Sequence, residues 1–206
     1  LVPTFPTIHL PNSMLRVYPE RADYTTDQLN GLPLIVTSHR GSSAFNLSPY
    51  QRENLRPVVA YSYDDEKLKP YYYEVILDDE EIKVKYALSH QSALYQIDYS
   101  QQDKPVYMMI NSRNGAIKAG DGFVSGYQQL ENNTRVYLYI ESDIAPIETG
   151  ILADGKIDAG TKEAEGRNAC AVLHFADGTK TVNLRYEWNF SRDAAFNDIF
   201  LTRFDA

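Results

Sequence analysis

Tyr71-Tyr72-Tyr73-Glu74-Val75-Ile76-Leu77-Asp78-Asp79-Glu80-Glu81-Ile82-Lys83-Val84-Lys85-Tyr86 is the stretch on which the fold turns. Its two arms alternate apolar with polar residues, which is the period of a half-buried strand. The four acidic residues between them have the length of a hairpin loop. Val75 and Leu77 fall on one face, as do Ile82, Val84 and Tyr86, so each arm offers one apolar side to a core.

Downstream the same period returns in Tyr95, Ile97 and Tyr99, in Pro105 to Ile110, and, after a Gly-rich stretch, in Arg135 to Ile140. In the last of these Val136, Leu138 and Ile140 oppose Tyr137 and Tyr139, predicting a strand with a tyrosine stripe on its outer side. Ala171 to Phe175, then Asp177-Gly178, then Lys180 to Tyr186 predict a second hairpin, with Asp-Gly as its turn. Upstream, Arg56 to Tyr63 starts a strand that Asp64-Asp65-Glu66-Lys67 should break. Leu34-Ile35-Val36 should form a strand buried on both faces, ending near Thr37 or Ser38 and releasing Ser38 to Ser43 as a loop. Prolines 3, 6, 11 and 19 leave room only for short extended pieces such as Ser13 to Tyr18. One helix is expected, at the C-terminus, where Ser191 caps Asp193 to Leu201. Strands at short intervals without alternating helices indicate an all-β chain folded as an antiparallel β-sandwich, with 206 residues enough for a sizeable core.

Composition narrows the function. Sixteen tyrosines and eight phenylalanines suit a pleated surface, and the formal charge of −8 excludes the basic footprint of a nucleic-acid partner. No apolar run approaches the roughly 20 residues of a membrane span. The single cysteine, Cys170, excludes an internal disulfide, and a start at Leu1 without a leader-type segment suggests a processed or trimmed chain.

The reactive residues do not assemble into a catalytic set. Ser38 and His39 are neighbours on an extended chain and point to opposite faces. Cys170 and His174 are four apart on one strand, about 13 Å at 3.3 Å per residue, and are sheet residues. Asp154 to Glu165 imitates a calcium loop but has lysine at its third place and Ala159 where glycine is required, so it is a solvated loop with no metal role. His9 and His90 lack metal-ligand spacing. Asp64-Asp65-Glu66 and Asp78 to Glu81 are charged turns, not the contrasting pair about 5 to 9.5 Å apart that glycosidases use. What remains is a tyrosine-rich surface with Arg16, Asp23, Tyr24, His39 and Arg40 in the first 40 residues. Rings that stack on sugars and polar groups that bond hydroxyls make a carbohydrate-facing set, and composition leaves a protein-binding surface equally open.

The order of motifs adds a resemblance. Thr4-Phe5-Pro6, then Pro11-Asn12-Ser13-Met14-Leu15-Arg16-Val17-Tyr18-Pro19, then Gly31 to Gly41 with Ser38-His39, resembles the N-terminal β-sandwich of glycoside hydrolase family 92, the calcium-dependent α-mannosidases. Leu88 to Tyr95 looks like the histidine-bearing strand of that domain, and Thr181 to Glu187 with the Ser191-led helix is similar to its closing elements. The family loop reads Ser-His-Thr-His-Leu-Ser-Gly; Ser38 and His39 match it, and Arg40 is a departure. The resemblance implies that residues 1–206 are one supersandwich-like domain, the N-terminal part of an exo-acting inverting α-mannosidase. Its general acid, general base and most calcium ligands would then belong to a C-terminal (α/α) toroid, with no catalytic or metal residue here. Ser38, His39, Arg40, Arg16, Asp23 and Tyr24 become substrate-cleft candidates facing a mannose-containing glycan. An uncovered apolar docking face for the missing domain is expected, as is a periplasmic or extracellular bacterial location. A free-standing carbohydrate-binding or adhesin-like sandwich is the alternative.

Overall fold

Two-residue alternation is realised as strands throughout the computed structural model, which describes residues 20–21, 28–31, 36–40, 61–77, 81–88, 92–100, 106–111, 114–129, 134–153, 156–158, 160–167 and 169–189. The first half comprises β1 (Glu20–Arg21), β2 (Gln28–Gly31), β3 (Val36–Arg40), β4 (Tyr61–Lys69), β5 (Tyr72–Leu77), β6 (Ile82–Leu88), β7 (Ser92–Asp98) and β8 (Val106–Asn111). The second comprises β9 (Asn114–Ala119), β10 (Phe123–Gln129), β11 (Arg135–Ser142), β12 (Glu148–Ala153), β13 (Lys156–Asp158), β14 (Glu163–Arg167), β15 (Cys170–Phe175) and β16 (Thr181–Asn189). An eleven-stranded sheet runs β1-β2-β4-β5-β6-β7-β16-β11-β10-β9-β14 and a five-stranded one β13-β12-β15-β8-β3. Every pairing among the described residues is antiparallel. The described residues are all-β, and the two sheets face each other as a sandwich.

Inward positions of both sheets build one core. Val75, Leu77, Ile82, Val84, Ile97, Ile140, Val182 and Leu184 from the large sheet meet Val106, Met108, Ile110, Leu173 and Phe175 from the small one. Tyrosine joins them more than composition implied: Tyr73, Tyr86, Tyr95 and Tyr186 are core residues. Tyr73 stacks on Tyr86 at 4.9 Å and Tyr86 tilts against Tyr95 at 5.5 Å, contacts worth about 0.5–1.5 kcal/mol each beyond burial. The Tyr73 hydroxyl donates to Glu66 Oε1 at 2.7 Å, so the ring is buried without stranding its polar end. The predicted outer stripe is also present, with Tyr137 and Tyr139 half-buried opposite Leu138 and Ile140.

The first hairpin's two strands pair as read, in register from Tyr72 opposite Ala87 to Leu77 opposite Ile82. Several other expectations are corrected. The acidic stretch Asp64 to Lys67 does not break the strand. β4 runs through it as a bulge, its register shifting between Asp64 and Lys67 while Asp65 takes a φ of 51°. β3 does not end at Ser38, because backbone pairing with β8 carries it to Arg40. The Gly-rich stretch before Arg135 contains two full strands, β9 and β10. Lys156 to Asp158, expected as loop, pairs with β12 as β13, Lys156 opposite Ala153. Leu88 to Tyr95 is not one strand but the end of β6 and the start of β7, with His90 outside the described residues.

The largest correction concerns β15 and β16. Asp177-Gly178 does make a turn, with Thr179 N–H donating to Ala176 O at 3.1 Å and Gly178 at φ 79°. The strands it joins never pair. β15 lies between β12 and β8 in the small sheet, β16 between β7 and β11 in the large one, so the turn is an arch across the sandwich. The expected strand at Ser13 to Tyr18 and helix at Ser191 to Leu201 lie outside the described residues.

Candidate functional site

Three connections meet at the end of the sandwich where β3 finishes. The arch 176–180 is one, and Tyr99 N–H holds it by donating to Lys180 O at 2.7 Å. The second is the crossing 143–147 from β11 to β12, pinned by Ser142 Oγ donating to Ile144 O at 2.7 Å and Ile147 N–H donating to His174 O at 2.8 Å. The third is the turn 120–122, where Gly120 N–H donates to Phe123 O at 2.8 Å. These anchors fix the backbone and leave Ile144 and Ile147 exposed, 39% and 61%. A notch of about 420 Å³ opens between the second and third connections, lined by Asp121, Pro146, Ile147, Glu148, Thr149 and Lys162. Thr149 is buried at its base and accepts from Lys162 Nζ.

One row of the small sheet runs up to this end. Register sets Glu148 opposite His174, His174 opposite Tyr107, and Tyr107 opposite His39. His174 Nδ1 lies 3.5 Å from Glu148 Oε2, with the imidazole 13% and the carboxylate 41% exposed, and the Tyr107 ring sits 4.8 Å from the imidazole. The row thus joins a solvent-facing carboxylate through a histidine to a buried aromatic. It supplies hydrogen-bonding and ion-pairing groups but no second carboxyl, so it is not the acid and base pair of a glycosidase.

Of the six sequence candidates, Ser38, His39 and Arg40 are consecutive in β3, opposite Met108, Tyr107 and Val106, with Arg40 at the terminal position. The strand end and the exposed isoleucines therefore share one end of the sandwich. Arg16, Asp23 and Tyr24 lie outside the described residues. The sequence reads His174 as a sheet residue and does not display its partners. The signal was its phase: on β15 it alternates with Leu173 and Phe175, which the core claims. Among the described residues the large exposed apolar side chains are Leu68, Tyr71, Ile144 and Ile147, two separate pairs rather than the broad bare face expected.

The remaining titratable groups serve the scaffold. Glu74, on the outer side of β5, is held at a pKa of about 2, first by the Tyr72 hydroxyl, then by Lys67 at 2.9 Å, with Lys83 at 3.4 Å adding to it. Burial pushes the Cys170 thiol well up, as it does Tyr86 and Tyr186. Among the described residues no three histidine, cysteine, aspartate or glutamate groups converge. Asp158, one acid of the calcium-like stretch, accepts from Gly160 N–H at 2.8 Å and Thr161 Oγ1 at 2.7 Å instead.

Residues 2–186 match the model of the glycosyl hydrolase family 92 N-terminal domain. The chain belongs to that family. No curated protein sequence gives a match. Among solved structures, this family 92 N-terminal domain superposes on the family GH92 inverting mannosidase BT2199 of Bacteroides thetaiotaomicron with a TM-score of 0.78 at 18% identity, over 98% of this chain and 31% of that one. It superposes on the family GH92 α-mannosidase BT3965 of the same organism with a TM-score of 0.77 at 16% identity, over 96% and 32%. At such identities the likeness speaks for the fold, and the chain spans about a third of the length of these structures. No helix among the described residues is long and apolar enough to cross a membrane.

Proposed function

We propose that residues 1–206 form the single accessory sandwich of an exo-acting inverting α-mannosidase. The end of β3, with Ser38, His39 and Arg40, lines one wall of a cleft for a mannose-containing glycan, and Arg16, Asp23 and Tyr24 belong to the same wall. Ile144 and Ile147, at that end, dock on a C-terminal catalytic domain that carries the acid, the base and the calcium ligands. The chain alone is inactive, and the whole enzyme works in the periplasm or outside a bacterial cell. The observation that supports this reading is the family match over residues 2–186 of a chain that equals only about a third of each mannosidase it superposes on.

The test is to read the coding sequence beyond Ala206, then assay the 206-residue chain and the extended polypeptide on an aryl α-mannoside. Expected is a helix-rich continuation making up about two thirds of the whole, turnover only by the extended form, and a released sugar of inverted anomeric configuration. A stop codon close after Ala206 supports the free-standing binding module instead. Turnover by the 206 residues alone places the chemistry inside them.

A further inference from the structure

On the outer side of the large sheet, one register row runs Tyr72, Ala87, Leu94, Arg185, Glu141 across β5, β6, β7, β16 and β11. It floors an open trough of about 1060 Å³. Four strand spacings of about 4.8 Å make the row about 19 Å long. The floor is two-natured, with Tyr72 at one end, half-buried Ala87 and Leu94 in the middle, and the Arg185–Glu141 ion pair at the other end. Beyond the lining, the Tyr139 hydroxyl donates to Glu141 at 3.0 Å and helps hold that carboxylate in place.

Along one side the next row supplies a chain of polar groups. Lys85 Nζ donates to Gln96 Oε1 at 3.3 Å, Gln96 Nε2 to Asn183 Oδ1 at 3.2 Å, and Asn183 Nδ2 to Asp143 Oδ2 at 2.6 Å. Each amide keeps a second N–H and a second carbonyl lone pair, so the row presents alternating donors and acceptors. A pyranose ring has a matching construction, an apolar C–H face and a rim of hydroxyls that both donate and accept. The lining holds two cations, Lys85 and Arg185, against three anions, Asp121, Glu141 and Asp143, a balance that suits an uncharged ligand and repels a polyanion.

The geometry points to a neutral-oligosaccharide binding trough on the outer face of the large sheet, its floor distinct from the cleft at the end of β3 although Asp121 and Asp143 at its rim belong to the connections at that end. It takes several sugar units along the row, with the C–H faces over Ala87, Leu94 and Tyr72 and the hydroxyls on Gln96, Asn183 and Arg185. Only the choice of mannan as first probe depends on the mannosidase reading.

The experiment is affinity electrophoresis of the natural full-length polypeptide through gels containing soluble α-mannan, a soluble β-glucan or polygalacturonate. Gln96→Ala with Asn183→Ala removes the hydroxyl partners, and Ala87→Arg fills the floor. Thermal unfolding confirms that each variant is folded, and aryl α-mannoside turnover is followed alongside. Expected is retardation by α-mannan or β-glucan, with the apparent dissociation constant raised at least tenfold in either folded variant and aryl mannoside turnover unchanged. Retardation that persists in the folded variants, retardation by polygalacturonate alone, no retardation in any gel, or a trough covered by the remainder of the polypeptide overturns the assignment. Absence of aryl mannoside turnover, with trough-dependent retardation intact, counts only against the mannosidase reading.

Discussion

Gly126→Ala should be among the most damaging single-methyl additions to the described sandwich. A Cβ built on Gly126 in β10 would sit 2.1 Å from the Ala116 carbonyl oxygen of β9, where real contacts essentially never fall below 3.0 Å. Relief therefore requires β9 and β10 to part by about 0.9 Å, the difference of those distances. A separation of that size carries a 2.9 Å backbone bond beyond hydrogen-bonding range, at about 1 kcal/mol for each bond lost. It also disturbs Ile117 and Val124, core residues on the same two strands, at about 1–3 kcal/mol for overpacking. The sum is about 3 kcal/mol, or about 6–12 °C in Tm for a chain of this size. Gly122→Ala is the control. That glycine has φ +84° and nothing within 4 Å of an added Cβ, so the change costs only the left-handed backbone, about 1–2 kcal/mol. Thermal unfolding by circular dichroism reads both. A Gly126→Ala midpoint within 2 °C of the parent (under about 1 kcal/mol), or a larger loss from Gly122→Ala, refutes the close-approach argument.

Glu74→Gln removes a carboxylate whose folded pKa of about 2 lies below its ordinary 4.5. Such a group stabilises above pH 4.5 and loses that contribution as the pH falls toward 2, so the variant should be less stable at pH 7 and converge with the parent near pH 2. Exposure of Lys67 holds the difference at pH 7 to no more than about 1 kcal/mol, read by urea unfolding against pH; a constant difference across the range contradicts the ion-pair account. Tyr86→Phe deletes a buried hydroxyl with no hydrogen-bond partner among the described residues and should leave stability equal or raised by about 1 kcal/mol, whereas a loss of that size reveals a partner. Cys170 is fully buried, so a disulfide exchange reagent should label it only at the unfolding rate, and labelling at the speed of a free thiol is incompatible with its place in β15. Ile147→Asp should shift the 206-residue chain by less than about 0.5 kcal/mol yet destabilise the extended polypeptide, measured by the two melting curves; equal curves remove Ile147 from any docking contact.

Hairpin Tyr72 to Leu88 was legible because both of its conditions are local. Each arm alternates, and the loop between them is too charged to be buried. β9 and β10 were not legible, since Gly115, Gly120, Gly122 and Gly126 resemble turn punctuation in a sequence. At Gly115 and Gly126 the residue type answers a contact with the neighbouring strand, which no local pattern displays. The same limit applies to the bulge in β4, where Asp64 to Lys67 has the composition of a break. Pairing with β5 on both sides of it holds the strand together.

The arch shows what a closer reading of phase recovers. Cys170 to Phe175 is apolar without alternation apart from His174, as in a strand covered on both faces, while Thr181 to Tyr186 alternates strictly, as in a strand covered on one. Two strands of one hairpin share a sheet and therefore share its covering, so this mismatch already argued against pairing them, whatever Asp177-Gly178 suggested. Once β15 is placed in the small sheet, His174 must stand on the face away from the core, and its neighbours across the strands, Tyr107 and Glu148, follow from register. The candidate row is thus a consequence of the arch. It needed four strands from distant parts of the chain, and no spacing in the sequence joins them until the crossing between the sheets is known.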